Sequence, residues 1–191
     1  QAEAAKLVIA AGAWAGGLLT KFLPRLRVVR KHLHWYRTLP GAYSGVESPV
    51  FFYETADGYF YGFPSLDGES IKVAEHSGGR ELDDPLNASR DLDPIDQRRV
   101  EEFLSTYVPQ LAVSPSGGLE HTHHSPCMYT LTPDENFLVD RHPDYGNVCF
   151  AGGLSGHGFK FASVLGEVLA DLAVTGQTEQ PIDFLRGDRF G

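Results

Sequence analysis

The sequence predicts an α+β fold, and three observations predict it. Four short runs with alternating apolar residues succeed one another between residues 26 and 74, separated by turn formers, which reads as a mixed or antiparallel sheet. An amphipathic segment opening at Asp93-Pro94 follows and is expected to pack on that sheet as a helix. Near each end of the chain, a strand runs through a glycine turn into a helix, which is half of an α/β unit.

The elements justify themselves in order. Lys6-Leu7-Val8-Ile9-Ala10 reads as a short buried strand, and Ala11 to Gly17 turns from it into a helix reaching Phe22, stopped by Pro24. From Leu26 to Thr38, Val28, Val29, Leu33 and Trp35 are interspersed with basic and aromatic residues, the pattern of a long, half-exposed strand. Val50–Tyr53, Tyr59–Phe63 and Ser70–Ala74 make three more strands, set apart by Asp57-Gly58 and Asp67-Gly68. The helix has Asp93 as N-cap and Pro94 at its first position; Val100, Phe103, Leu104, Tyr107 and Val108 form its apolar face, and Pro109 ends it. Ser114–Gly118 reads as a short loop, and there are no internal repeats.

The last of the strand–turn–helix units is the richest in chemistry. Val148 to Ala151 form a buried strand, and Phe161, Val164, Leu165, Val168, Leu169 and Leu172 share one side of the helix that follows. Between them Gly152, Gly153, Gly156 and Gly158 give the backbone access to positive φ and to close approach by a bound group. Lys160 falls in the first turn of that helix, where a cation opposes the dipole, and an anionic partner offsets the cost.

Composition sets the bounds. With 191 residues the chain is long enough for one large or two small domains with a substantial core, and 42% apolar and 21% charged residues are ordinary for a globular chain. A formal charge of −9 with no basic stripe argues against nucleic-acid binding. The longest apolar stretch, Leu7 to Leu19, is broken by glycines and too short to span a bilayer, so no membrane role is expected. Two cysteines, Cys127 and Cys149, read as single thiols in a reducing, cytoplasmic compartment. Because the chain opens with Gln1 and enters a strand almost at once, its natural start is expected to lie upstream.

Among candidate site residues, Lys72 and His76 share a strand face while Ile71 and Val73 point to the core; Tyr59, Tyr61 and Phe63 repeat with the same period. Spacing alone leaves two readings open for these sets, a wall of a site or a half-exposed sheet surface. His121-Thr122-His123-His124 resembles a metal cluster, but only Cys127 follows as a further ligand, so an exposed loop is the default and no metal is expected. Cys127 itself reads as a thiol after a loop, inert unless its pKa is lowered or an electrophile is tethered beside it.

Two motifs carry a resemblance. Cys-Met-Tyr-Thr-Leu-Thr-Pro-Asp-Glu-Asn-Phe at 127–137 and Gly-Leu-Ser-Gly-His-Gly-Phe-Lys-Phe-Ala at 153–162, in that order, look like the C-terminal half of the monomeric sarcosine oxidase and N-methyl-L-tryptophan oxidase family. Ile71 to His76 and Lys6 to Trp14 match as well, so the resemblance covers essentially the whole chain and about half of the family's usual protein. It implies FAD attached through its 8α-methyl carbon to Cys127, with Met128, Gly153, Leu154, Ser155, Gly156, His157, Gly158 and Lys160 around the cofactor. It further implies that Lys160 binds the carboxylate of a small N-methyl amino acid and that Lys72 assists reaction of reduced flavin with O2. Tyr61 and His76 match substrate-side residues, with general-base duty for His76 left open.

Residues 1–24 are then expected to be a fragment of the FAD-binding Rossmann-like domain, 25–111 the substrate-binding sheet and helix, and 112–191 a return to the FAD-binding domain. The dinucleotide fingerprint, G-x-G-x-x-G followed about twenty residues later by an acid, is absent from the sequence. The resemblance implies that the parent oxidises a secondary amine with release of hydrogen peroxide and depends on an N-terminal nucleotide-binding half. The alternatives are an FAD amine dehydrogenase using another acceptor, and a non-catalytic fragment without flavin.

Overall fold

The computed structural model describes residues 3–19, 26–45, 48–111 and 113–191. The chain divides into two compact units: Gln1–Val29 with Glu81–Leu86 and Met128–Gly191, and Arg30–Arg80 with Asn87–Cys127.

In the first unit, β1 (Leu7–Ile9) pairs parallel with β9 (Val148–Gly152), which pairs antiparallel with β8 (Leu138–Arg141), giving the order β1-β9-β8. β1 was expected to be buried, yet Leu7 and Val8 are 49% and 43% exposed. Among the described residues it is an edge strand, with β9 on one side and no strand on the other. The turn after it is a 3-10 turn (Gly12–Trp14) and a single α-turn, α1 (Ala15–Leu18); the rest of the expected helix, to Phe22, and its stop at Pro24 lie outside the described residues. Phe150 and Leu138 bury against Ala15 and Leu19 on one face of the sheet. On the other, Val139, Cys149 and Ala151 pack with Leu165, Val168 and Leu172 of α3 (Ala162–Val174). Each fully buried apolar side chain of this kind stabilises by about 1.5–3 kcal/mol.

The second unit is built on an antiparallel sheet. β3 (Phe51–Thr55), β4 (Gly58–Phe63) and β5 (Ser70–Glu75) form a meander, and β2 (Arg27–Arg37) lies beside β5 with His34 opposite Val73 and Trp35 opposite Lys72. A three-residue strand, β6 (Arg80–Leu82), completes the order β3-β4-β5-β2-β6, and β7 (His121–Leu131) also pairs with β2. α2 (Pro94–Tyr107) starts as read: the Asp93 carboxylate accepts from the Ile95 N–H, and Pro94 spends no donor. Its Val100, Phe103 and Leu104 bury with Tyr36, Phe60, Ile71 and Val73. Phe103 lies parallel to Phe60, with ring centroids 4.5 Å apart and planes 6° off.

Two expectations for this unit are corrected. β2 was read as half-exposed, but Val28, Val29, Arg30, Lys31 and His32 are all buried, because β2 sits inside the sheet and its polar groups find partners far along the chain. Arg30 pairs with Asp93 at 2.5 Å, and His32 lies 3.0 Å from Asp96. His121–His124 were read as an exposed loop, with Cys127 following it; all of them belong to β7, where pairing with β2 overrides the polar composition and Pro126.

Candidate functional site

The sheet of the second unit presents Lys72 at the centre of an aromatic patch. Alternation along β5 turns Ile71 and Val73 into the core and leaves Lys72 on the opposite face. Cross-strand register puts Trp35 and Phe63 on either side of it, and its ammonium lies 5.7 Å and 5.0 Å from their ring centroids. Among the described residues it has no carboxylate partner. A cation held by rings keeps its charge available to a ligand.

The patch continues toward the end of β5. Tyr61 stands perpendicular to Phe63 at 5.9 Å and approaches the His76 ring at 6.3 Å. Phe52, opposite Tyr61 in the register, packs edge-on against His76 at 5.7 Å and is 60% exposed. The His76 N–H donates to the Tyr59 carbonyl at 2.6 Å, which fixes where the imidazole leaves the sheet. Tyr61, His76 and Lys72 are thus brought together on one face. Trp35, Phe63 and Phe52 belong to the same patch; the period of Tyr59, Tyr61 and Phe63 pointed to it, whereas Phe52 and Trp35 needed the register.

Cys127 lies on β7, partly buried, as a free thiol. Burial pushes its pKa up, and the charges of Lys31 and then Lys72 pull it down. The structure therefore gives a thiol in electrostatic reach of two cations, one of them on the aromatic patch.

The neighbouring histidines do something else. His34 is fully buried, its Nδ1 3.2 Å from His121 Nε2, and its Nε2 has no hydrogen-bond partner among the described residues. Burial, then the neighbouring His121, His32 and His124, lower its pKa to about 3. Among the described residues no group of three His, Cys, Asp or Glu side chains is arranged to hold a metal ion.

In the first unit, the glycine stretch is a buttressed loop. Gly153 and Gly156 take φ of +54° and +78°, and Ser155 joins them at +47°, whereas Gly158 is right-handed at −77°. The reading of four glycines as conformationally free is thus corrected to two. Gly156 is required on both counts: a Cβ there would stand 2.4 Å from the Tyr129 ring. Ser155 is buried, its N–H donating to the Thr130 carbonyl and its hydroxyl oxygen accepting from the Thr132 N–H. The N–H groups of Ser155, His157 and Phe161 are satisfied inside the loop and its strand contacts, so they are not open donors.

Lys160 also moves from its expected place. The residues before α3 form a 3-10 turn, Phe159–Phe161, so Lys160 lies ahead of the helix and not in its first turn. Its ammonium lies 5.3 Å from the Phe161 ring centroid, and together with His157, Phe137, Phe161, Ile182 and Phe184, Lys160 lines a cavity of about 520 Å3. Leu154 is part of this loop, and Met128, on β7, lies in the first unit with it.

Do these residues fit a flavin? A flat aromatic face with an ammonium that has no carboxylate partner among the described residues, and a half-buried thiol that feels its charge, fit a planar ring that accepts electrons. Residues 1–172 match the family described as FAD dependent oxidoreductase, and the chain belongs to that family. It is 39% identical over 191 residues to monomeric sarcosine oxidase of Arthrobacter sp. (strain TE1826), covering 97% of this chain and 47% of that protein. N-methyl-L-tryptophan oxidase of Escherichia coli O139:H28 (strain E24377A / ETEC) is 35% identical over 191 residues, covering 98% and 48%. The fold is shared with L-proline dehydrogenase from P. horikoshii at a TM-score of 0.76, 22% identity and coverage of 96% of this chain and 46% of that one. The chain spans about half the length of the curated relatives it matches. Among the described residues, no helix is long and apolar enough to cross a membrane.

Proposed function

We propose that this chain is the substrate-facing and flavin-attaching part of an FAD-dependent oxidase of N-methyl amino acids. The observation that carries the reading is the patch around Lys72: a cation on an aromatic face, without a carboxylate partner among the described residues, its charge reaching the half-buried Cys127 thiol. FAD bound there would accept a hydride equivalent from the carbon next to a secondary amine and pass the electrons to O2, giving hydrogen peroxide. Cys127 supplies the sulfur that ties the cofactor down, and Met128 and the loop Gly153-Leu154-Ser155-Gly156-His157-Gly158 line it. Lys72 sets a positive charge where oxygen is reduced. Tyr61 and His76 orient the amine, Lys160 takes the carboxylate, and the resulting imine is hydrolysed by water. In this proposal residues 1–24 and 112–191 belong to the FAD-binding domain and 25–111 to the substrate domain. The nucleotide end of FAD is held by a further N-terminal half, and the two separate thiols fit a reducing cytoplasm.

The test is made on the full-length protein with sarcosine and N-methyl-L-tryptophan. Peroxide should appear with at least one of them, and yellow colour should stay with the denatured polypeptide but be lost from Cys127→Ser. Turnover without peroxide would refute the oxidase in favour of a dehydrogenase. Flavin released from the denatured parent, or retained by denatured Cys127→Ser, would refute the attachment.

A further inference from the structure

Among the described residues only Glu135 and Ser155 take a left-handed backbone without being glycine, at φ +56° and +47°. Such strain persists where the surroundings over-determine it. Both residues lie in the first unit, in two turns that touch. The Ser155 hydroxyl stands 3.2 Å from the Asn136 carbonyl and accepts from the Thr132 N–H at 3.4 Å, and His157 Nε2 lies 3.1 Å from the Glu135 carbonyl. The fit is close, since a Cβ on Gly153 would stand 2.5 Å from Thr132 Cγ2. The shape of the 153–158 loop is therefore set from the turn at 132–136.

Asp134 in turn shapes 132–136. Its Oδ1 lies 2.8 Å from the Thr132 hydroxyl and accepts from the Asn136 N–H at 3.2 Å, so the carboxylate closes the turn around Glu135. That carboxylate is gripped from the far end of the sequence. Arg189 Nε donates to Oδ2 at 2.8 Å and Nη2 to Oδ1 at 3.1 Å, a two-point contact, and Nη2 also donates to the Phe137 carbonyl at 2.8 Å. Arg189 is itself steadied: its Nη1 donates to the Arg186 carbonyl at 2.8 Å, and the Gly187 N–H donates to the Asp140 carboxylate at 2.9 Å. The Arg189 contact, ahead of those from Thr132 and Asn136, holds the Asp134 carboxyl well below the ordinary carboxylate range.

We propose that Arg189 is a positioning residue: by fixing Asp134 it holds the turn at 132–136 and, through Thr132 and Asn136, keeps the 153–158 loop in the shape that meets the flavin. The place of that loop beside the cofactor rests on the function proposed above. The test is amide exchange in the full-length protein, read at single residues by mass spectrometry, together with the shape of the flavin absorbance band. In Arg189→Met the Ser155 and Asn136 amides should exchange about tenfold faster, through loss of a charge-assisted two-point contact, while Val168 on α3 and Val73 on β5 keep the parent's rates. The flavin band should change shape, which a general loss of stability would not produce. Parent rates at Ser155 in Arg189→Met would overturn the proposal.

Action through Asp134 is tested by combining substitutions. Arg189→Met with Asp134→Asn should exchange Ser155 no faster than the faster single variant, because both remove one contact, and additive effects would overturn the proposal. An Arg189→Met protein that does not fold is replaced by Arg189→Lys, which keeps the charge but not the two-point grip. Ser155 should still exchange faster there, and the parent's rate would again overturn the proposal. Faster exchange beside an unmoved flavin band would leave the Arg189 relay standing and remove the loop from the cofactor, which is a failure of the reading on which it rests.

Discussion

His34 makes stability fall on mild acidification, by an amount that the structure bounds. The imidazole is fully buried against His121, His32 and His124, with Tyr36 at 6.3 Å and Glu101 reaching Tyr36 and His121, and its pKa is lowered from 6.5 to about 3. The unfolded chain takes up a proton below pH 6.5 and the folded chain does not. The contribution is therefore intact above pH 6.5 and is lost as pH falls toward 3. Between pH 7.5 and 4.5 the interval amounts to about two pK units, or about 2–3 kcal/mol, and solvent screening around the cluster trims this to about 2. His121, also lowered by burial, adds in the same direction. The assay is urea unfolding of the parent and of His34→Gln at both pH values. The parent should lose about 2 kcal/mol more than His34→Gln, whose amide keeps a donor toward His121 and has nothing to protonate. Parallel losses would refute the reasoning, because they would put the pH dependence on carboxylates and other histidines.

Three further outcomes are expected of the full-length protein. Lys72→Met should slow re-oxidation of reduced flavin by orders of magnitude while reduction by substrate changes much less; stopped-flow traces with both half-reactions slowed alike would mean a structural role. Lys160→Ala should weaken carboxylate-bearing inhibitors by roughly 2–3 kcal/mol in spectral titrations and spare amines without a carboxylate, and equal dissociation constants would remove it as the anchor. Gly156→Ala should destabilise by about 1–3 kcal/mol in thermal melts, from a Cβ 2.4 Å from the Tyr129 ring and a left-handed φ; an unchanged midpoint would show that the loop yields freely.

The parts of the fold written locally were legible. Asp93-Pro94 announces α2, period two finds β3 to β5, and the glycine turn between β9 and α3 falls where the four glycines lie. What escaped depends on partners distant in sequence. β7 looks like a loop until β2 is placed beside it, where the Arg37 N–H donates to Glu120 and the Thr122 hydroxyl to Trp35. β6 is three residues long and leaves no period to read. Of the patch, Lys72 and His76 were visible as one same-face pair and Tyr61 and Phe63 as part of another set, but the two sets, and Trp35 and Phe52 with them, join only through the register. Lys31 was invisible for a related reason: a lysine in a strand is ordinarily solvated, and nothing nearby in sequence reports the carbonyls at 77 and 78 that take it in.

The three consecutive basic residues buried on β2 have a consequence for assembly of the sheet. A strand that slides by two residues keeps its faces and loses little hydrophobic contact, which is how misaligned sheets come to compete with the correct one. Here each such step strands Arg30 away from Asp93, Lys31 away from Ser77 and Gly78, and His32 away from Asp96 and the Asp91 carbonyl. Three polar groups would be left in the interior at about 1–3 kcal/mol apiece, more for the charged ones. The same residues that look like a liability in a central strand act as a vernier, admitting a single alignment of β2 and so a single placement of Trp35 against Lys72.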